Sequence, residues 1–164
     1  MKLPEMTTLF AARDPFVTSK TDQSMISWKN TKNCLLVDDD KDDQDIFQFA
    51  LKNVHPEFSC VFAEDGDTAI HLLQEKTMMP DFIVMDINLP RLNGLDCLAA
   101  IKKIHGLQSI PIFMYSTCGQ NEIVEKCITL GASGFYTKTS NIIDLENSLK
   151  AIVSQVDVPE KRFA

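Results

Sequence analysis

The run Cys34-Leu35-Leu36-Val37, followed at once by Asp38-Asp39-Asp40, decides how the rest of the chain is read. Four consecutive apolar residues are too few for a helix, and their lack of polar alternation marks a strand buried on both faces. Working outward, similar short runs recur at 58–63 (FSCVFA), 82–85 (FIVM), 110–115 (IPIFMY) and 134–137 (GFYT), each bounded by Asp, Pro or Gly. Between them lie amphipathic stretches. Residues 42–53 carry Ile46, Phe49 and Ala50 on one expected face, and 66–76 carry Ala69, Ile70, Leu72 and Leu73. Residues 94–104 carry Leu95, Leu98 and Ile101, 120–130 carry Ile123, Val124, Cys127 and Ile128, and a fifth stretch runs from 141 to 154. Five alternations of strand and helix predict an α/β, doubly wound, five-stranded parallel sheet with helices on both faces and right-handed connections.

Composition sets the outer bounds. The chain has 164 residues, 45% of them apolar and 24% charged, enough for one domain and one core. Sixteen Lys and Arg stand against 23 Asp and Glu, a net charge of −7, which argues against a nucleic-acid partner. No apolar run approaches the ~20 residues of a membrane span. The opening residues are broken by Pro4 and Glu5 before any signal-peptide core can form. The five cysteines are odd in number and lack C-x-x-C spacing, as for buried thiols in a reducing compartment, so a cytoplasmic location is expected. Residues 1–32, slightly basic and without apolar period, read as a flexible extension. Residues 33–155 form the domain and 156–164 a C-terminal tail.

Ligands of an open parallel sheet bind beyond the carboxyl ends of the strands. Those positions are polar here: Asp38-Asp39-Asp40 after the first strand, Asp86 after the third, Ser116-Thr117 after the fourth and Lys138 after the fifth. If the first and third strands are neighbours, as in the flavodoxin-like order 2-1-3-4-5, Asp38, Asp39 and Asp86 converge, with Ser116 and Lys138 at the wall. Clustered carboxylates repel unless a cation offsets them, and Mg²⁺ takes such oxygen ligands beside phosphoryl oxygens. A remaining Asp oxygen can then attack phosphorus. Asp42, Asp43 and Asp45, in a run of six Asp within 38–45, read as a solvated helix start favoured by the helix dipole. Phe135 by itself reads as core, and Gly131 to Gly134 as a helix stop.

Four strings, CLLVDDD (34–40), DFIVMDINLPRLNGLD (81–96), PIFMYST (111–117) and GASGFYTK (131–138), resemble in order and spacing the receiver domain of two-component response regulators, of the stand-alone type. The resemblance covers residues 33 to about 155. It implies a phosphoacceptor signalling protein rather than a turnover enzyme, with Asp86 accepting a phosphoryl group from a histidine kinase or histidine phosphotransfer protein. It further implies Mg²⁺ held by Asp38, Asp39, Asp86 and the Asn88 backbone carbonyl, with Asp39 the direct ligand and Asp38 acting mostly through water. Ser116, Thr117, Phe135 and Lys138 would form the phosphoryl-binding and switch set, and Asn88 and Cys118 would tune phosphoryl lifetime. Output would pass through the face made by the fourth helix, fifth strand and fifth helix, to a protein partner or a second copy.

The sequence departs from the family in having Thr139 where a proline, joined through a cis bond, usually follows the lysine. A trans Lys138–Thr139 bond is expected, since cis non-prolyl bonds cost ~3 kcal/mol. Two rival readings remain: a degenerate receiver that acts only by docking, and a small Mg²⁺-dependent phosphohydrolase with Asp38 as nucleophile and Asp40 as acid. The latter family expects Thr or Val soon after, where Lys41 and Asp42 stand.

Overall fold

The computed structural model describes residues 32–156, so the expected extension and tail fall almost wholly outside the described residues. Five strands, β1 (Lys32–Val37), β2 (Phe58–Ala63), β3 (Phe82–Met85), β4 (Ile112–Ser116) and β5 (Gly134–Thr137), alternate with five helices. These are α1 (Lys41–Val54), α2 (Gly66–Gln74), α3 (Gly94–Lys103), α4 (Asn121–Thr129) and α5 (Ile142–Val156). All strand pairs are parallel, in the order β2-β1-β3-β4-β5. Lys32 belongs to β1, opposite Phe58, rather than to the extension, and α5 runs on to Val156. The fourth strand starts two residues later than its apolar run suggests and ends on Ser116 itself.

Alternation along each strand separates two cores. Leu35, Val37, Ile83, Met85, Ile112 and Met114 face the helices that supply Leu73, Cys97, Leu98, Ile101 and Cys127. Cys34, Leu36, Phe82, Val84, Phe113 and Tyr115 face Phe47, Leu51, Leu145 and Leu149. Thus α2, α3 and α4 cover one face, and α1 and α5 the other. Phe58, Phe82, Phe113 and Tyr136 run across the second face in edge contacts, with centroids 5.4, 6.4 and 6.0 Å apart.

One helix face differs from expectation. Helix α1 buries Gln44, Phe47, Ala50 and Leu51, whereas Ile46 and Phe49 are 42% and 59% exposed. The helix carries two apolar stripes, and the one at 47, 50 and 51 wins because Phe47 meets Tyr115 edge-on at 6.3 Å. Periodicity alone does not choose between them.

Three of the helix starts are fixed by side chains at the position just before the helix. Asp40, Asp65 and Asn93 cap α1, α2 and α3 by accepting backbone N–H bonds. At the other end of α4, Gly131 takes φ +97°, and the Ala132 and Gly131 amides donate to Cys127 and Ile128 carbonyls, closing the helix as expected for this glycine. Gly94 is required for a different reason: a β-carbon there would drive into the Asp86 carbonyl oxygen and lie 2.8 Å from Ile87 Cα. Helix α3 therefore starts pressed against the backbone that carries Asp86.

Two outcomes follow from these contacts. Gly94→Ala should lose ~1–3 kcal/mol of stability in urea unfolding, because the struck group is backbone and cannot rotate away; an unchanged midpoint would mean the approach is looser than described. Asp65 is held below the usual carboxylate range by the Thr68 backbone N–H and also by Arg91. A depressed folded pKa contributes stability above the unfolded value near ~3.9 and loses it as pH falls through the folded one. Asp65→Ala should therefore cost ~1 kcal/mol at neutral pH, with the gap to the parent closing below about pH 4; a gap constant with pH would contradict the charged cap.

Candidate functional site

Strands β1 and β3 are neighbours, yet the helices that follow them, α1 and α3, lie on opposite faces, which opens a crevice at their carboxyl ends. The ladder sets its depth. The Asp38 amide donates to the Ala63 carbonyl at 3.0 Å and the Asp86 amide to the Val37 carbonyl at 2.9 Å, so both carboxylates start from backbone tied into the sheet. Both are buried, Asp38 to 1% exposure. One oxygen of each is occupied locally: Asp38 Oδ1 accepts from the Asp40 amide at 3.1 Å, and Asp86 Oδ1 from the Asn88 amide at 3.0 Å.

The second oxygen of each meets Lys138. From the end of β5, where its amide donates to the Ser116 carbonyl at 3.0 Å, Lys138 reaches back across β4 with its Nζ 6.0 Å from the centroid of the Tyr115 ring. Nζ stands 2.7 Å from Asp38 Oδ2, 2.8 Å from Asp86 Oδ2 and 2.8 Å from Asp43 Oδ2. No peptide bond among the described residues is cis, so the lysine makes this reach with a trans bond to Thr139, whose amide lies 3.5 Å from the Tyr115 hydroxyl.

Charge is unevenly matched. Burial pulls the Lys138 ammonium down, but its hydrogen bonds to Asp38, Asp43 and Asp86 outweigh this and hold its pKa well above the ordinary value. Asp38 is pushed the other way: burial raises its pKa and the Asp86 charge adds to that, against the Lys138 and Asp40 hydrogen bonds. One ammonium is more than satisfied by three carboxylates, and the carboxylates remain under-compensated.

Around this centre the structure distributes the other residues singled out by sequence. Ser116 is fully buried, and among the described residues its hydroxyl finds no hydrogen-bond partner. An unmet buried hydroxyl costs about 1–3 kcal/mol. Asp39, Asn88 and Thr117 are exposed and Cys118 half-buried at the same edge. Phe135 is half-buried against the core under α2, α3 and α4. Among the described residues, no three His, Cys, Asp or Glu side chains are gathered as a metal cage. Asp38 and Asp86 already share the Lys138 ammonium. The donor set nevertheless suits a hard cation: carboxylates in negative excess, one with a raised pKa, beside an exposed Asp39 and the Asn88 carbonyl.

Two contacts escaped the sequence reading. Asp43, assigned to a solvated helix start, is bound to Lys138, and Gln44, unremarked, is buried with its Nε2 donating to the Asp38 carbonyl at 2.6 Å. A weak signal existed: both fall on the same side of α1 as Phe47 and Ala50, the inward one.

Comparison with known proteins bears on this arrangement. The chain is 31% identical over 128 residues to the response regulator Rcp1 of Synechocystis, covering 75% of this chain and 87% of that protein. The crystal structure of the Mn²⁺-bound form of Rcp1 superposes with a TM-score of 0.69 at 30% identity, covering 77% of this chain and 96% of the other. That of the phosphorylated cyanobacterial phytochrome response regulator RcpA gives 0.68 at 31%, covering 74% and 91%. Chemotaxis response regulator CheY4 of Vibrio cholerae, at 24% identity, 0.66, and coverage of 75% and 99%, shares the fold. The profile of the response regulator receiver domain matches residues 34–150, nearly the whole of the sheet and its helices, and the chain belongs to that family.

Proposed function

We propose that the domain, residues 33–155, takes a phosphoryl group on Asp86 from a histidine kinase or histidine phosphotransfer protein and uses it to switch a protein-binding surface. The observation that carries this is the Lys138 ammonium between Asp38 and Asp86, at 2.7 and 2.8 Å, at the carboxyl ends of adjacent strands. An Asp86 carboxylate oxygen forms the new P–O bond as the P–N bond of the donor phosphohistidine breaks, and the imidazole leaves. Lys138 offsets phosphoryl charge, and Ser116, whose buried hydroxyl has no partner among the described residues, donates to a phosphoryl oxygen. Asp38, Asp39, Asp86 and the Asn88 carbonyl would hold Mg²⁺, which when bound neutralises charge on the transferring group. Asn88 and Cys118, two residues past Asp86 and Ser116, flank the approach of water and tune lifetime. Thr117 lines the same edge. The protein is not a turnover enzyme on this reading, and we assign it to the cytoplasm, in keeping with five cysteines that remain free thiols.

Output follows from Ser116. Drawing its hydroxyl toward the phosphoryl group leaves room that the half-buried Phe135 ring can enter, and burying such a ring is worth at most ~1.5–3 kcal/mol, a tenfold or larger shift of a balanced equilibrium. The receiving surface is that of α4, β5 and α5, which bears two exposed large apolar side chains, Ile128 at 50% and Ile143 at 63%. Such exposure suits a protein partner or a second copy.

Phosphoryl incorporation from acetyl phosphate tests the core of this proposal. It should require Mg²⁺ and vanish in Asp86→Asn, whereas full labelling of that variant would overturn it and parental inertness would favour the docking-only alternative. A second outcome concerns stability. The folded pKa of Asp38 is raised, so the folded chain binds more protons than the unfolded one above ~3.9, and stability falls as pH rises through the folded value. Asp38→Asn should therefore raise the melting temperature of the metal-free protein at neutral pH while reducing the further rise given by Mg²⁺. A lower melting temperature without metal, or an undiminished Mg²⁺ response, would contradict it.

A further inference from the structure

Of the three carboxylates around Lys138, two change partners in the proposed reaction. Asp86 would carry the acyl phosphate, and Asp38 would turn to Mg²⁺. Asp43 has neither task. It lies in the first turn of α1, beyond the N-cap Asp40, with Oδ2 2.8 Å from Lys138 Nζ. Its side chain is 42% exposed, at the mouth of the site rather than the floor. The turn that carries it is fixed in place: Asp40 caps it through the Asp42 and Asp43 amides, at 2.9 and 3.3 Å, and the neighbouring Gln44 is buried with its amide on the Asp38 carbonyl. Asp43 is therefore presented to the lysine by backbone that is itself bound to the end of β1.

An ammonium has three donors, and here each of the three carboxylates is within reach of one. Beyond Lys138 the chain has Thr139 and a trans bond; the Thr139 amide donates to the Tyr115 hydroxyl at 3.5 Å, and its Oγ1 accepts from the Asn141 amide at 3.0 Å. We propose that Asp43 is a positioning residue for Lys138, holding the ammonium at the rim of the site while Asp38 and Asp86 turn to metal and phosphoryl group. This rests on the phosphoacceptor reading above. The direction of the effect separates positioning from bulk charge. Three acidic side chains, Asp38, Asp43 and Asp86, stand around one lysine, so removing a negative charge would by itself favour an incoming phosphoryl dianion and speed phosphorylation. Loss of a positioning contact slows it, because Lys138 must then find the phosphoryl oxygen from a less restricted stem.

The test uses the full chain carrying Asp43→Ala, Asp43→Asn, Lys138→Met and the Asp43→Ala, Lys138→Met pair. Phosphorylation by acetyl phosphate at saturating Mg²⁺ is measured, together with water exchange of the Lys138 ammonium protons by ¹H–¹⁵N NMR in the metal-free protein. The expected result is a rate about tenfold lower for Asp43→Ala, the scale of one charge-assisted hydrogen bond. Asp43→Asn, which keeps an acceptor oxygen, should recover most of it. In the Lys138→Met background Asp43→Ala should add no further loss, since the residue acts through the lysine. Ammonium exchange should accelerate in metal-free Asp43→Ala. A rate at or above the parent, equal losses in both backgrounds, or unchanged ammonium exchange would overturn the assignment. If the parent itself takes no phosphoryl group, the functional reading fails, and the metal-free exchange measurement still decides whether Asp43 holds Lys138.

Discussion

The ammonium of Lys138, shared at 2.7–2.8 Å by carboxylates from the ends of β1 and β3 and the start of α1, is the contact around which this domain is organised. Two buried aspartates at adjacent strand ends would repel across a site largely closed to water, and a lone buried carboxylate is a heavy cost. The lysine makes their burial tolerable, and does so incompletely. Its own charge is held firmly while Asp38 stays easier to protonate than an ordinary aspartate. A site left with excess negative charge attracts a further cation, and a site whose cation, among the described residues, is a single lysine side chain can pass that cation to an incoming anion. Both properties suit phosphoryl chemistry, at the expense of stability.

The sheet delivers these groups with little freedom. Asp38 and Asp86 hang on amides bonded into the β2-β1-β3 ladder, Lys138 on an amide bonded to Ser116 at the end of β4. Gly94 lets α3 start against the Asp86 carbonyl, and Gln44 ties α1 to the Asp38 carbonyl. Four strand ends and two helix starts thus converge on one crevice, with short connections that leave few alternative positions. The buried Ser116 hydroxyl is an exception to this satisfaction, and the half-buried Phe135 an exception to the packing. Ser116 ends β4, and Phe135 belongs to β5, the strand beside it. On the proposed function, the rigid part of the site would present the reacting groups, and the unsatisfied part would convert a change of charge into a change of surface.

Much of this was legible in the sequence because burial on both faces leaves strands as unbroken apolar runs. FIVM, FSCVFA and GFYT gave β3, β2 and β5 to the residue, and the acids and lysine directly after such runs had to emerge at one edge. What was not legible depends on which way a helix turns. Helix α1 has apolar residues at 46 and 49 as well as at 47, 50 and 51, and only the position of Tyr115 on the sheet selects the second set. That same rotation carries Asp43 inward to Lys138, so misreading the face and missing the carboxylate are one error. The reach of Lys138 across β4 could likewise not be read from its position in the chain, and Thr139 in place of proline does not prevent it.

The account stands on the claim that three carboxylates share a single ammonium and are under-compensated by it. Carbon-13 NMR of the aspartate side-chain carboxyls, followed through a pH titration of the metal-free protein, measures this directly. Asp38 should titrate above the ordinary aspartate value of ~3.9, with the Lys138 ammonium still protonated beyond the ordinary lysine value of ~10.4. An Asp38 that titrates at or below the ordinary value, or a lysine that loses its proton earlier than its exposed counterparts, would mean that the charges are balanced in some other way.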